Sequence, residues 1–377
     1  MEILSPRDYA AAEPLFEPMI PLQPVCQAVL RAVYPGLIAV DDPAAPRAAF
    51  LFTDRIWCFL AGEPDAPGFI AALHTALFER RVVDPGSDTL LFTCADPVWH
   101  ARLPEILSPR IPIAQARRHY TLEHPLGEGH VRLPAGYEIR PMTRESLEQT
   151  GLEIASAVQD KLATWERIRS PGFADYGMVT IHTPTRTVAS WATVDYVCAG
   201  AGDVGLVTDP RHRRKGLATH TTAAAIDHGF ASVGLTRFNW TVDAENGPSI
   251  RTAERLQFER QPDYVTHLFA FDATRHSAML AYDWILHKRY GDAADLLERL
   301  ISSTARVPTW AYLDAATAWA RLHHADRALE HLNRAAKEGF SNVDSLLTSE
   351  AYATLHDHPD WETLVTRVRR NAAQSHG

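Results

Sequence analysis

The chain has 377 residues, of which 46% are hydrophobic and 22% charged, so it can bury sizeable cores in two or three domains. Its net charge of −9 argues against a general binder of nucleic acids or acidic membranes. Four scattered cysteines without a CxxC pair give no reason to expect a disulfide framework or a zinc site. The start of the chain is unlike a signal peptide, and no apolar run approaches the roughly 18 residues of a membrane span. We therefore expect a cytoplasmic protein that binds neither nucleic acid nor membrane.

Strand and helix signals alternate over residues 1–118, which we assign to an N-terminal α/β lobe. Four prolines between residues 14 and 24 predict a loop or a broken helix there. Helical apolar spacing covers residues 68–80. Strands are predicted at 36–42, 48–62 and 89–94, the second of them a hairpin that turns at Thr53-Asp54-Arg55.

A second α/β segment begins near Tyr137, where a strand is followed by Thr143, a plausible N-cap for a helix over 144–159. Residues 200–205 match G-x-G-x-x-G, but a strand and Pro210 follow instead of a helix, so we interpret them as a hairpin turn. The remaining predictions are strands at 137–142, 177–183, 187–199, 205–209, 237–243 and 263–271, and helices at 216–231 and 248–258.

Strand signals end after Ala273, and residues 273–377 are predicted to form an all-α tail of helical hairpins. Asp292 and Asp326 lie 34 residues apart, which is the tetratricopeptide period. The small residues Ala294 and Ala328 would lie where paired helices approach closely. The tail is therefore expected to be tetratricopeptide-like, and to serve protein recruitment or self-association.

The most informative stretch is the basic turn before Gly216, where four of the five residues from Arg211 to Lys215 are basic. The first N–H groups of a helix lack intrahelical partners, and the helix dipole adds partial positive charge there. Gly216 has no side chain, so an anion can approach the backbone closely. A strand, a basic turn and a helix start together predict an anion site. On charge alone, a solvated cluster stays the alternative.

The segment RRKGLA at 213–218 fits R/Q-x-x-G-x-G/A and resembles the pyrophosphate-binding signature of the GNAT (Gcn5-related) N-acetyltransferases. Asn246, Ser249 and Phe258 resemble the second motif of that family. Residues 36–52 and 57–64 are similar to the N-terminal part of a bacterial, zwittermicin-resistance-like subgroup. The resemblance implies an α/β (α+β) GNAT acyltransferase fold at 119–272, and residues 1–118 as a lobe that is open to interpretation as a degenerate GNAT-like half.

The resemblance also implies acetyl-CoA as co-substrate, no metal, and direct attack of a primary amine in a ternary complex. Backbone groups of Leu206, Val207 and Thr208 would pair with the pantetheine arm, and an N–H near Val207 would stabilise the oxyanion. Asp203 is the candidate base, although it is also a plausible hairpin-end residue. The further cofactor-binding residues implied are Arg213, Arg214, Lys215, Gly216, Leu217, Ala218, Asn246 and Ser249, with Asn246 alternatively a helix cap.

Two positions depart from the family pattern. Ala253 stands where many members carry a tyrosine that protonates the leaving thiolate, and Gln257 stands where a glycine is usual. Tyr264, Ser249 or solvent would then supply the proton. These departures leave three functions open: acetylation of a small amine, acetylation of a protein recruited by the tail, and acyl-CoA binding without catalysis.

Overall fold

The computed structural model describes residues 1–53, 56–83, 86, 88–127, 129, 132–148, 151–304 and 306–374. The chain packs as two compact units. The first comprises Met1–Ile106 and Ala114–Leu268, and the second comprises Leu107–Ile113 and Phe269–Gly377. The assignment of three domains from the sequence stays a prediction.

Residues 1–122 contain the predicted strands and several short helices. A 3-10 turn at Pro6–Ala12 comes first. The proline-rich stretch at 14–24 contains only the four-residue helix Glu13–Phe16 and the start of a helix at Pro24–Leu30, as expected for residues that lack an N–H. The predicted hairpin is confirmed, although its turn residues Asp54 and Arg55 lie outside the described residues. The elements are β1 (Glu2–Ile3), α1 (Glu13–Phe16), α2 (Pro24–Leu30), β2 (Gly36–Val40), β3 (Ala48–Thr53), β4 (Trp57–Gly62), α3 (Phe69–Phe78), β5 (Thr89–Cys94), α4 (Val98–Ile106) and β6 (Ile113–Leu122).

The second half follows the sequence prediction closely. The G-x-G-x-x-G stretch does form a hairpin, whose turn residues Ala199 and Gly200 have φ values of 47° and 78°. A π-helical turn at Gly229–Val233 extends α7. The elements are β7 (Tyr137–Pro141), α5 (Arg144–Leu147), α6 (Ser156–Arg167), β8 (Tyr176–His182), β9 (Thr187–Cys198), β10 (Ala201–Thr208), α7 (Leu217–His228), β11 (Arg237–Asp243), α8 (Gly247–Arg255) and β12 (Glu259–Ala270).

One predicted helix is wrong and one central strand was not predicted. The helix expected over 144–159 is divided into α5 and α6, because the backbone at Gly151 is left-handed (φ 76°) and cannot continue a helix. Thr143 nevertheless caps α5, accepting a hydrogen bond from the Ser146 N–H. Strand β6 contains the charged run Arg117-Arg118, which hides its strand pattern.

The described strands form one sheet with the order β1-β2-β3-β4-β5-β12-β6-β11-β10-β9-β8-β7. From one edge inward the strands are β1 to β5 and then β12, and from the other edge inward they are β7 to β11 and then β6. The two halves of the sheet are therefore arranged in the same way. Strands β4 and β5 are parallel and connected through α3, and β10 and β11 are parallel and connected through α7. The last strands of the two halves, β6 and β12, are exchanged at the centre of the sheet. The first unit therefore repeats one strand arrangement twice.

The two faces of the second half carry different partners. Val204 on β10 and Trp240 on β11 pack with Ile226 of α7 and with residues of α8. The opposite face packs against α6, where Leu162 and Trp165 are buried. Since side chains alternate along a strand, Asp203, Gly205 and Val207 point to the α6 face.

The second unit is helical, as predicted. Within it, α9 packs on α10 and α11 packs on α12, which are the two expected hairpins. Ala294 and Ala328 are fully buried, as expected for close helix contacts. The tetratricopeptide character of the tail stays a prediction. Its helices are α9 (Ala273–Leu286), α10 (Tyr290–Ser303), α11 (Thr309–Arg321), α12 (Ala325–Lys337), α13 (Val343–Thr348) and α14 (Trp361–Gln374).

Candidate functional site

The central feature of the site is an opening between two parallel strands. β10 and β11 are in register only from Ala201 to Asp203, opposite Arg237 to Asn239. Beyond Asp203, β10 continues beside β9 as far as Thr208, and β11 continues beside β6. The two strands therefore separate into a V-shaped opening whose closed end lies at Asp203 and Asn239.

The register decides which backbone groups of β10 face this opening. The Asp209 N–H donates to the Ala189 carbonyl on β9, 2.9 Å away, and Val207 lies opposite Trp191 in the same register. Because N–H groups of successive residues alternate in direction, the Val207 N–H points to β9. The N–H groups of Leu206 and Thr208 point into the opening.

A basic turn lies at the wide end of the opening. Asp209 and a 3-10 turn at Pro210–His212 end β10. Arg214 and Gly216 have left-handed φ values of 62° and 75°, and α7 begins directly after Gly216. A Cβ on Gly216 would meet nothing nearer than 3.4 Å, where the His220 ring lies. Consecutive N–H groups at such a turn and helix start form a concave site for an anion.

The opening and the turn together form one cleft of ≈ 710 Å³. Its walls contain most of the predicted site residues, namely Leu206, Val207, Thr208, Arg213, Arg214, Gly216, Leu217, Ala218, Asn246 and Ser249. Two predicted residues lie elsewhere. Lys215 Nζ donates to the Tyr137 hydroxyl at 2.8 Å, and Asp203 lies deeper, at the closed end of the opening.

The sequence did not point to six further residues of the cleft wall. Arg251 and Arg255 lie one helical turn apart on α8, and this i, i+4 spacing of basic residues was the signal that could have identified them. They extend the positive charge of the turn across the cleft. The others are His212, Thr219, Pro248 and Thr252.

The second motif forms the opposite wall through a helix cap. Asn246 Oδ1 accepts a hydrogen bond from the Ser249 N–H at 3.3 Å and so caps α8. Ser249 Oγ accepts from Trp240 Nε1 at 3.1 Å, which leaves the hydroxyl hydrogen available to another acceptor. Tyr264 is not part of the cleft wall, and its hydroxyl accepts from Gln23 Nε2 at 2.7 Å. Ser249 is therefore better placed than Tyr264 to face a group in the cleft.

The two departures from the family pattern have different structural consequences. Ala253 is fully buried against the core, so it presents no proton donor to the cleft. Gln257 has φ 60°, the left-handed conformation that glycine adopts most easily. The backbone geometry of that position is thus kept without its usual residue.

Asp203 is an acid with a raised pKa, and it lies opposite a second acid, Asp195. Burial, and next the facing carboxylate of Asp195, raise the pKa of Asp203 to about 8, while Arg117 and Lys161 act in the opposite direction. Lys161 Nζ lies 3.2 Å and 3.3 Å from the two Asp195 oxygens. Burial and Asp195 also raise the pKa of Asp175 to about 7.

The site residues fit a nucleotide thioester. The open cradle at Gly216, with Arg213 and Arg214 beside it, suits a pyrophosphate, and the free N–H groups of Leu206 and Thr208 suit an amide-containing arm. Within the described ranges, no group of three or more His, Cys, Asp or Glu residues is arranged to hold a metal ion. None of the described helices is long and apolar enough to cross a membrane.

Comparison with known proteins finds segments similar to curated N-acetyltransferases. A 55-residue segment is 34% identical to the mouse (Mus musculus) alpha/beta-tubulin-N-acetyltransferase 9, covering 15% of this chain and 23% of that protein. A 62-residue segment is 34% identical to the uncharacterized N-acetyltransferase p20 of Bacillus licheniformis, covering 16% and 35%. The chain thus spans about a quarter to a third of these curated relatives.

The fold also resembles a solved GCN5-related N-acetyltransferase-like protein from Streptococcus suis, with a TM-score of 0.51 and 19% identity. That match covers 69% of this chain and 98% of the other. The sequence profile described as GNAT acetyltransferase matches residues 14–267, which include both halves of the sheet and the whole cleft. The chain belongs to the GNAT acetyltransferase family.

Proposed function

We propose that this protein transfers an acetyl group from acetyl-CoA to a primary amine, most simply that of a small molecule. The observation that carries the proposal is the opening between β10 and β11, which leads directly to the basic turn at Gly216. A pantetheine arm requires backbone partners along an open strand, and a pyrophosphate requires an anion cradle. One continuous cleft supplies both.

Each wall residue has a role in this proposal. Arg213, Arg214 and the N–H groups after Gly216 hold the pyrophosphate. The N–H groups of Leu206 and Thr208 and the Thr208 carbonyl pair with the pantetheine arm. The Leu206 N–H, rather than that of Val207, stabilises negative charge on the thioester oxygen during attack.

The reaction balances with these groups. The neutral amine nitrogen attacks the thioester carbon, a C–N bond forms, and the C–S bond then breaks. The nitrogen loses one proton to a base, for which Asp203 acting through water stays a prediction. Ser249 or solvent gives one proton to the departing thiolate, the role for which Ala253 has no hydrogen.

A protein acceptor is the second candidate. The mouse relative is named as an acetyltransferase of tubulin, and the helical unit of this chain exposes Tyr282, Leu286 and Trp310. Exposed aromatic residues suit peptide contacts. Under this alternative, the full chain acetylates peptides and leaves small amines unmodified. The zwittermicin-like subgroup and the cytoplasmic location stay predictions.

The test combines binding and turnover on the full chain. Calorimetry should show micromolar binding of acetyl-CoA with one site per chain, and release of free CoA thiol should require an added amine. Parallel panels of small amines and of peptides with free N-termini distinguish the two acceptor classes. Binding without thiol release from either panel would instead support a non-catalytic acyl-CoA-binding module.

A further inference from the structure

The cleft wall extends past the basic turn along two helices. Thr219, in the first turn of α7, is part of this wall. α8 contributes a longer segment, whose cleft-lining residues are Pro248, Ser249, Arg251, Thr252 and Arg255. In the proposed complex, the basic turn holds the pyrophosphate and β10 holds the pantetheine arm. The two arginines of α8 therefore face the cleft without a ligand group assigned to them.

These two arginines belong to one side of α8. The spacing i, i+3, i+4, i+7 places four wall residues on a single face of a helix, namely Pro248, Arg251, Thr252 and Arg255. On the opposite side, Ala253 is fully buried and Ile250 packs against the same core. The core therefore fixes the rotation of α8, and both guanidinium groups are held on the cleft side, one helical turn apart.

The positive charge of α8 is directed to the wide end of the opening. Arg251 Nη1 lies 3.0 Å from the position that a Cβ on Gly247 would occupy, so this guanidinium group leans over the start of the helix. Long side chains on a helix point toward its N-terminus, and we expect Arg255 to lean the same way. The start of α8 follows the end of β11, and β11 is parallel to β10. Both arginines therefore lean toward the end of the cleft where the basic turn lies.

The cleft holds positive charge that the protein does not neutralise. The arginines that line it are Arg213, Arg214, Arg251 and Arg255. Among the described residues, none of these four pairs with a carboxylate, and the described part of the cleft wall contains no aspartate or glutamate. Arg211, which lies outside the wall, is in contrast paired with Asp209 and Glu153. Because like charges in one cleft repel, four unpaired arginines indicate a ligand with more negative charge than a pyrophosphate alone.

Acetyl-CoA carries a second anionic group besides its pyrophosphate. This group is the phosphate monoester on the 3′ oxygen of the ribose, and such a monoester carries about 1.5 to 2 negative charges at pH 7. Guanidinium groups bind terminal phosphates through paired, charge-assisted hydrogen bonds. The two arginines of the turn match the pyrophosphate, and the two arginines of α8 match the 3′-phosphate.

We propose that Arg251 and Arg255 bind the 3′-phosphate of acetyl-CoA, and that they make the protein select the 3′-phosphorylated form of its co-substrate. This inference rests on the proposed binding of acetyl-CoA and names the residues that determine this specificity. The guanidinium groups donate hydrogen bonds to the terminal phosphate oxygens. Thr252, on the same stripe, donates its hydroxyl hydrogen to the Pro248 carbonyl at 2.9 Å, so the two arginines supply the contact.

The test measures by calorimetry the Kd of two ligands that differ only in this phosphate, acetyl-CoA and acetyl-dephospho-CoA. We expect the wild-type chain to bind acetyl-CoA about 10- to 100-fold more tightly, as hydrogen bonds to a charged group predict. Arg251→Gln and Arg255→Gln should each weaken binding of acetyl-CoA by about 3- to 10-fold and leave acetyl-dephospho-CoA unchanged, and the double variant should bind both ligands equally. Arg299→Gln is the matched control, because it removes an exposed arginine of α10 outside the cleft wall and should keep the preference.

Equal wild-type binding of the two ligands would exclude a site for the 3′-phosphate. An equal loss for both ligands in the arginine variants would show that these residues act on the pyrophosphate or on the fold instead. Turnover separates the inference from the proposed function. A preference for acetyl-CoA without thiol release from any amine refutes acetyl transfer alone, whereas thiol release with equal Kd values refutes this inference alone. If neither ligand binds, both are refuted.

Discussion

Replacement of Gly216 by glutamate tests the anion cradle directly. Gly216 has φ 75° and is the residue before the first turn of α7. A Cβ at this position would make ordinary van der Waals contact with the His220 ring, 3.4 Å away. A glutamate side chain therefore enters the cleft without a steric clash, and its carboxylate lies beside the place proposed for the pyrophosphate.

The magnitude follows from charge and distance. Two unit charges 8 Å apart repel by roughly 2 kcal/mol at an effective dielectric constant near 20. The pyrophosphate carries two charges that the glutamate repels, and the new carboxylate also neutralises part of the charge of Arg213 and Arg214. We therefore expect the binding free energy of acetyl-CoA to weaken by about 3 kcal/mol, or roughly 100-fold in Kd. The left-handed backbone separately costs any L residue about 1–2 kcal/mol of folding stability.

Gly216→Ala separates these two effects. Alanine has the same backbone strain as glutamate but no charge, so it should lower the free energy of unfolding similarly and weaken acetyl-CoA binding far less. Calorimetry with acetyl-CoA and with S-acetylpantetheine, which lacks the pyrophosphate, completes the comparison. Only the complete co-substrate should lose affinity in Gly216→Glu.

Two results would refute the reasoning. If Gly216→Glu binds acetyl-CoA as tightly as wild type, the basic turn is a solvated charge cluster. If S-acetylpantetheine loses affinity to the same extent as acetyl-CoA, the substitution acts through folding rather than through charge.

Four further outcomes can be checked independently. Gln257→Gly relieves a left-handed φ of 60° and should raise the free energy of unfolding in urea by about 1 kcal/mol. Gly229→Ala places a Cβ 2.2 Å from the Tyr176 hydroxyl and should lower it by about 1–3 kcal/mol. Burial raises the pKa of Asp203 from 3.8 to about 8, so the wild-type free energy of unfolding falls as pH rises between those two values. Asp203→Asn avoids this loss. Its free energy of unfolding relative to wild type should therefore grow by up to about 1.4 kcal/mol per pH unit and level off above pH 8. Arg251→Ala should weaken acetyl-CoA binding by roughly tenfold at low salt and less at high salt, measured by calorimetry.

That the predicted residues line one cleft beside the basic turn could largely be anticipated, because the signal is local. Arg213, Gly216 and Ala218 are neighbours in sequence, and a strand, a turn and a helix start define their geometry without reference to the rest of the chain. Their predicted neighbours Asn246 and Ser249 follow one strand later and line the same cleft. Short-range patterns of this kind depend on backbone chemistry that the sequence states directly.

The parts that could not be predicted depend on distant pairings. Lys215 belongs to the signature, but Tyr137, far away in sequence, receives its hydrogen bond. The pairing of Asp195 with Asp203 depends on the register of the hairpin, which a bulge shifts near Ala201. The exchange of β6 and β12 at the centre of the sheet depends on both halves folding together.

The repeat of the strand arrangement shows which features make a cofactor site. In the first half, α3 also begins after a left-handed glycine, Gly68 with φ 73°, just as α7 begins after Gly216. The turn before Gly68, however, carries Glu63 and Asp65 where the second half is basic. β4 and β5 also stay in register from the start of β4 to Leu60, near its end, so no comparable opening forms. The same backbone path thus occurs twice, while among the described residues the separated strands and the positive charge proposed to hold an acyl-CoA occur together in the second half.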